Sequence, residues 1–512
     1  MKSHLITLVL LIFFYGIANA QIPKEKNSLK EKQISLVPET PSKAPDYFCT
    51  WNIQGYLCSI KDGYAMRMEM QEKNMYGDST FQNWLGFFPK IRQDIYFVMD
   101  DSWDIPNSGT ISDYYGMAEL DPDRFPSFTG TSEERMKKMV KAVKDKGWKG
   151  LGGWICVQVP PVAGKIDSSV YWTNKLQLAN AAGFSYWKAD WGKYSGNPEY
   201  RRMMTALGRK YAPNLIIEHA MGENNITFSD TYRTYDVENI ISLPVTISRV
   251  AGLLKYKPEN EAKGIINCED EPYIAAGLGC AIGIMRHPFV GDLPSGIPDF
   301  AFPVAARDVK KRLDEVVRAV RWHRIAEPFG VGSGSYSIDT LLFTDTWKVE
   351  KYETWVDRKI GEIVQEKAPA RVSRGLPLAK IVNPGKNKPY VLSSLYPNGA
   401  IAIATIGRTS DREYIFEKST IEQEINSIDS PIGIFGQYES LTLVLPDKIK
   451  KSSYTIWAQD LAGDTPVNIT KEIIIKENRI TIPGQLITKI GLSAATSGDV
   501  SDPGLVIKFD LR

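Results

Sequence analysis

From about residue 46 to about residue 338, short apolar runs alternate with amphipathic segments, and each run ends on polar or ionisable residues. The runs are residues 95–100 (IYFVMD), 150–159 (GLGGWICVQV), 184–190 (FSYWKAD), 214–220 (NLIIEHA) and 264–270 (GIINCED). Between them, residues 132–147, 169–183 and 306–325 carry apolar residues at helical spacing. A strand that reads as one apolar run is buried on both faces, and helical crossovers make the sheet parallel. The stretch therefore predicts a TIM (β/α)8 barrel, because its length suits eight units and no GxGxxG opens a helix as in an open doubly wound sheet. In such a barrel all C-terminal strand ends meet on one rim. Asp100 and Asp101, Gln158, Lys188 with Asp190, Glu218 and His219, and the Glu269-Asp270-Glu271 run would gather there.

The pattern changes on either side of the barrel. Residues 339–512 show period-two segments broken by Asn, Gly, Asp and Pro turns, which predicts a C-terminal antiparallel β-sandwich. Residues 1–20 read as a signal peptide: Lys2, an apolar run from Leu5 to Ile17, then Ala18-Asn19-Ala20. Removal near Ala20 would leave an exported chain, periplasmic or extracellular. The apolar run is shorter than the ~20 residues of a membrane span, so no stable insertion is expected. Residues 21–45, rich in Lys, Glu, Ser and Pro, form an extended lead-in. Lys plus Arg number 62 against 60 for Asp plus Glu, a balance that argues against a nucleic-acid partner. The 12 Trp and 24 Tyr suit the apolar faces of sugar rings, although cores use them as well. Of the five cysteines, Cys49 and Cys58 could close a small disulfide loop or remain two packed thiols, and none has zinc-ligand spacing. Met66, Met68 and Met70, with Trp322 and His323, read as packing. The sequence leaves the oligomeric state open.

Three groups of residues carry chemistry. Asp190 ends a strand two residues after Lys188, and a nearby cation favours its ionised form. A fixed, ionised carboxylate is what a glycosidase nucleophile requires; a plain ion pair at a strand end reads equally well. Asp236, three residues after Arg233, supplies a second acid for protonating a leaving oxygen, with Asp230 and Glu238 as competitors. Asp100 and Asp101 could accept hydrogen bonds from sugar hydroxyls while Trp103 packs on the ring, with Ca²⁺ as the rival ligand.

Taken in order, TWNIQGY (50–56), MDDSW (99–103), DPDRFPS (121–127), GWKGLGGWI (147–155), YWKADWG (186–192), IIEHA (216–220) and YRTYDVEN (232–239) resemble the α-galactosidase-like clan of glycoside hydrolases. The resemblance is greatest to the melibiase-type family 27. It implies that Asp190 is the nucleophile, Asp236 the acid/base, and Lys188 a contact to ring hydroxyls. By the same resemblance Asp100 and Asp101 hold the 4- and 6-hydroxyls, Trp51 packs on the hydroxymethyl side, and Glu218 and Arg233 approach the 2-hydroxyl. The implied protein is a secreted retaining exo-α-glycosidase, most simply an α-galactosidase. It needs no cofactor or metal and acts on an oligosaccharide or polysaccharide with a terminal α-linked sugar. A β-L-arabinopyranosidase on the same machinery, or a non-catalytic carbohydrate-binding protein on a decayed barrel, are the alternatives. The chain departs from the family pattern in four places. Trp191 and Gly192, and no cysteine, come directly after Asp190, the Arg233–Asp236 interval is one residue shorter, His219 replaces an aromatic, and residues 266–277 (INCEDEPYIAAG) lack an Asn-Asp-Pro-Asp stretch.

Overall fold

Eight short parallel strands close into a barrel in a computed structural model that describes residues 34–58, 63–78, 82–107, 110–235, 240–289, 311–350, 358–382 and 386–512. The stretch expected to be a signal peptide, most of the expected lead-in, and both Asp236 and Glu238 lie outside the described residues. The strands are β1 (Tyr47–Cys49), β2 (Tyr96–Met99), β3 (Gly150–Ile155), β4 (Tyr186–Ala189), β5 (Ile216–His219), β6 (Thr231–Arg233), β7 (Ile265–Glu269) and β8 (Ala281–Ile284). Each pairs in parallel with the next, and β1 closes on β8 with Tyr47 opposite Gly283. The expected barrel is therefore present, and the five strands predicted from apolar runs are β2, β3, β4, β5 and β7.

Local chemistry explains the helices between them. Helix Ser132–Asp145 buries Met136, Met139, Val140 and Val143, one face at helical spacing. It starts at a capping box in which Thr131 Oγ1 accepts from the Glu134 amide and the Glu134 carboxylate accepts from the Thr131 amide. Thr131→Ala should cost about 1 kcal/mol, read as a lower urea midpoint at unchanged slope. Helix Ser168–Ala182 opens on Asp167, which accepts from the amides of Ser169 and Val170, and stops at Gly183 in the left-handed region (φ +80°).

The C-terminal part is a sandwich of an eight-stranded and a five-stranded sheet. Isoleucines 401 and 403 from one sheet pack with Ile421, Leu441, Leu443 and Ile480 from the other in a common core. The sheets are rich in antiparallel pairs but not purely so, since Arg371–Arg374 with Tyr390–Leu395, Ile401–Ile406 with Ile432–Phe435, and Thr420–Glu424 with Ser440–Val444 run parallel. Strand Tyr336–Ile338 already belongs to the eight-stranded sheet. Barrel and sandwich lie within one compact unit, Ser35–Arg512. They are joined by the buried Arg318–Asp460 pair, with Nε–Oδ1 at 2.9 Å, and by Arg374, which donates to the carbonyls of Leu278 and Gly330.

Residues 34–45 have no helix or strand and are pinned to the body of the protein. The Ser42 amide donates to Asp94 Oδ1 at 2.8 Å, and the Leu36 amide to Gln459 Oε1 at 2.7 Å. Below the barrel His323, fully buried, lies 2.6 Å from Asp46, in keeping with its reading as packing. Met66 and Met70 are fully buried, whereas Met68 is half-buried. All five cysteines are free thiols, so of the two readings of Cys49 and Cys58 the packed thiols hold. Among the described residues no helix is long and apolar enough to cross a membrane.

Candidate active site

Alternation along the strands decides which side chains enter the barrel. On β4, Tyr186 and Lys188 face inward, and the parity carries on to Asp190 just beyond the strand. Trp187 faces outward and meets Trp172 of a surrounding helix at 5.8 Å between ring centroids. Neighbouring strands in phase bring Tyr47 and Cys49, Asp100, Trp154, Glu218, Thr231 and Arg233, and Asn267 and Glu269 to the same interior. Gly152, opposite Tyr186, lets the two strands approach, since a Cβ there would stand 2.7 Å from the Tyr186 carbonyl. After Asp190 the chain turns at Gly192 (φ +143°), where a Cβ would meet the Val157 amide nitrogen at 2.7 Å.

Two tiers result. In the lower one Glu218, fully buried, accepts from Tyr47 OH at 3.2 Å, Tyr186 OH at 2.7 Å and Asn267 Nδ2 at 2.6 Å. In the upper one Lys188 Nζ lies 2.7 Å from Asp100 Oδ2, which also accepts from Cys49 Sγ at 2.8 Å. Arg233 Nη2 donates to Asp190 Oδ1 at 2.8 Å, and Trp154 Nε1 donates to Asp190 Oδ2 at 2.9 Å. The backbone beside Asp190 is held too, because Arg201 donates to the carbonyls of Ala189 and Asp190. Asp101 is gripped by Arg67 Nε at 2.9 Å and by the Ser102 hydroxyl.

Burial sets the charges. It works to raise the Asp190 carboxyl, but Arg233, then Lys188 and the Trp154 hydrogen bond, outweigh it and hold the group below the usual carboxylate range. Burial likewise disfavours the Lys188 cation, and Asp100 more than reverses that. The Asp101 carboxyl is pushed up by burial against the pull of Arg67. Glu269 is pushed up to about 7, chiefly by burial.

The structure corrects three expectations. Lys188 and Asp190 do not pair with each other at the strand end: Lys188 reaches across to Asp100 on β2, and the cation on Asp190 is Arg233. Trp103 does not face the pocket. Ser102 adopts φ +81°, the chain turns over the rim, and the indole lies fully buried outside the barrel wall against Phe184 and Gly153, donating to the Trp154 carbonyl at 2.8 Å. Asp230 leaves the contest for proton donor, because it precedes β6 at the end away from the rim and its Oδ2 accepts from the Ile217 amide.

Asp100, Asp101, Lys188, Asp190 and Arg233 do converge on the rim, with Glu218 a tier below, and Trp51 stands beside them, half-buried, in the helix that follows β1. Among the described residues no group of three or more His, Cys, Asp or Glu side chains is placed to hold a metal ion. Asp236 itself lies outside the described residues, and the described residues on either side of it are fixed. Arg249 donates to the carbonyls of Thr234 and Tyr235, and Ile240 and Ile241 are buried against Trp347, Val349 and Val364 of the sandwich side. Sequence reasoning overlooked Trp154 and Cys49 as pocket residues, and placed Glu269 on the rim only as one of three consecutive acids. Strand parity singles out all three, since Trp154 follows Gly150 and Gly152, Glu269 follows Asn267, and Cys49 follows Tyr47. His219 points outward to Arg201 and Thr205, so that departure from the family pattern falls outside the pocket.

No family model matches the chain, and no curated protein matches it. Among solved structures the chain is similar to α-galactosidase I from Mortierella vinacea, at 13% identity over 91% of this chain and 96% of that one, with a TM-score of 0.40. It is similar to the α-galactosidase from Saccharomyces cerevisiae with raffinose, at 12% identity over 92% and 99%, TM-score 0.40. A putative α-N-acetylgalactosaminidase from Bacillus halodurans C-125 is alike at 9% identity over 93% and 99%, TM-score 0.38. At such identities and scores the likeness is one of architecture and carries nothing about the reaction.

Proposed function

We propose that the chain is an exported retaining exo-α-glycosidase that removes terminal α-galactosyl residues from oligosaccharides or polysaccharides. One observation carries the reading: Asp190 stands at the barrel mouth as an ionised carboxylate with one oxygen on the Arg233 guanidinium and the other on the Trp154 indole. That is the state a carboxylate nucleophile needs. In the first step an Asp190 oxygen bonds to the anomeric carbon as the glycosidic C–O bond breaks, and Asp236 gives its proton to the departing oxygen. In the second step Asp236 takes a proton from water, the water oxygen bonds to the anomeric carbon, and Asp190 leaves. Two inversions give net retention.

Asp100, Asp101 and Lys188 supply charged acceptors and donors for ring hydroxyls beside Trp51, a cluster suited to a small polyhydroxylated ring. Release of nitrophenol from a panel of 4-nitrophenyl glycosides, with proton NMR of the first-formed sugar, tests the proposal. Hydrolysis of the α-galactoside with α-galactose formed first supports it, and inverted product rejects it. Trp154→Phe keeps an aromatic ring but loses the indole N–H and with it one hydrogen bond to a charged group, worth about 1.5–3 kcal/mol, so kcat should fall roughly 10- to 150-fold with little change in KM.

A further inference from the structure

Four enclosed carboxylates, those of Asp100, Asp190, Glu218 and Glu269, share Lys188 and Arg233 between them at the barrel mouth. Lys188 is taken by Asp100. Arg233 faces the other three, at 2.8 Å from Asp190, 3.4 Å from Glu269 and 3.9 Å from Glu218. Asp190 has the Trp154 indole besides, and Glu218 has the hydroxyls of Tyr47 and Tyr186 and the amide of Asn267. Glu269 differs. Its side chain is 1% exposed, neither carboxyl oxygen accepts a hydrogen bond, and Arg233 Nε, the atom it faces, donates none. A buried charge in that position is costly, and an unsatisfied buried group in a mouth of this kind asks for a role.

We infer that Glu269 is a positioning residue that keeps a proton and so leaves Arg233 committed to Asp190, and that losing the proton draws the guanidinium toward β7 and turns the site off at alkaline pH. The inference rests on the reading of Asp190 as nucleophile. Burial is the largest influence on the Glu269 carboxyl, lifting it from 4.5 to about 7 with help from Glu218 and Asp190 and against Arg233 and Lys188. The groups that face it are Tyr47 on β1, Lys188 and Asp190 at β4, Glu218 on β5 and Arg233 on β6. On β8 its register partner is Gly283, and the next residue in its own chain, Asp270, is held by Arg286. Tyr47 is raised far above its ordinary value by burial and stays neutral. Below about pH 7 one guanidinium therefore serves Asp190 and Glu218, and above it a third carboxylate competes.

The sign for stability follows. A carboxyl raised in the folded state stabilises the fold fully below about pH 4.5, and that contribution is lost as pH climbs to about 7. Glu269→Gln lacks the titration. Its melting temperature should gain on that of the wild type by several degrees between pH 5 and pH 8. Asp104, also pushed to about 7 by burial, is common to both proteins and drops out of the difference. In kcat/KM the wild type should begin to fall near pH 7, whereas in Glu269→Gln only the Asp236 acid is left to set the alkaline limb, which should move to higher pH. Glu269→Met, which also cannot ionise, gives the same two readings if the Gln variant does not fold.

A melting-temperature offset that is flat with pH overturns the inference whether or not the protein hydrolyses a sugar, and so do superimposable alkaline limbs. An offset that grows with pH, in a protein silent on every glycoside, supports the proton on Glu269 and rejects the glycosidase reading instead.

Discussion

Asp190→Ala should lower kcat/KM on the preferred aryl glycoside by four orders of magnitude or more, without lowering the melting temperature. The size of the loss follows from what is removed. Without the carboxylate no covalent intermediate can form, and the hydroxyl contacts and the acid/base that remain supply only residual rate. Stability should hold or rise, because the substitution removes a buried charge and leaves Arg233 free to satisfy Glu269, which has no hydrogen bond in the wild type. Azide added to the variant should restore turnover by entering the vacated space and attacking the anomeric carbon. Its product is a glycosyl azide of inverted configuration, since one displacement replaces two. A loss of activity that accompanies unfolding, or azide rescue with retained configuration, would place the role of Asp190 elsewhere.

Arg233→Met should be the most damaging substitution in the barrel. Arg233 is 1% exposed and faces Asp190, Glu218 and Glu269. Removing one partner of a buried charge network costs about 3–5 kcal/mol, because the carboxylates left behind lie where water cannot reach them. The cost depends on pH in a determined direction. Without the guanidinium the carboxyls of the folded state hold their protons more tightly than those of the unfolded chain, so they can be neutral at pH 5 and are forced to ionise at pH 8. Urea unfolding should therefore show a deficit near the upper figure at pH 8 that shrinks at pH 5, with activity lost at both. Arg233→Lys should recover part of the stability and little of the rate, since an ammonium cannot present Nη2 to Asp190 and Nε to Glu269 at once. A deficit equal at both pH values would mean that Arg233 contributes packing alone.

Much of this was legible in the chain. The barrel could be read because a parallel sheet covered on both faces writes its strands as apolar runs, and polar strand ends such as Asp100 and Asp190 marked the rim. The sandwich could be read from period two. What could not be read is which charges meet, since that depends on strands distant in sequence. Lys188 and Asp100 are 88 residues apart, and Arg233 and Asp190 are 43 apart. Trp103 misled because its neighbours Asp100 and Asp101 are rim residues, and the positive φ at Ser102 that sends the indole outward has no sequence signal in a non-glycine residue. Trp154 was hidden within an apolar run, where only the in–out parity set by Gly150 and Gly152 distinguishes pocket from core. Glu269 was visible as one of three consecutive acids, but its lack of hydrogen-bond partners is a property of packing.

The central claim is that Asp190 bonds to the sugar, and trapping that bond tests it most directly. A fluorinated α-galactosyl fluoride slows both steps through its electron-withdrawing substituent while its good leaving group favours the first, so the covalent intermediate accumulates. Mass spectrometry of the digested protein should then find one sugar per chain on the peptide that contains Asp190, with labelling abolished in Asp190→Ala. Label on another carboxylate, or time-dependent hydrolysis of the reagent with no label at any residue, would contradict the account.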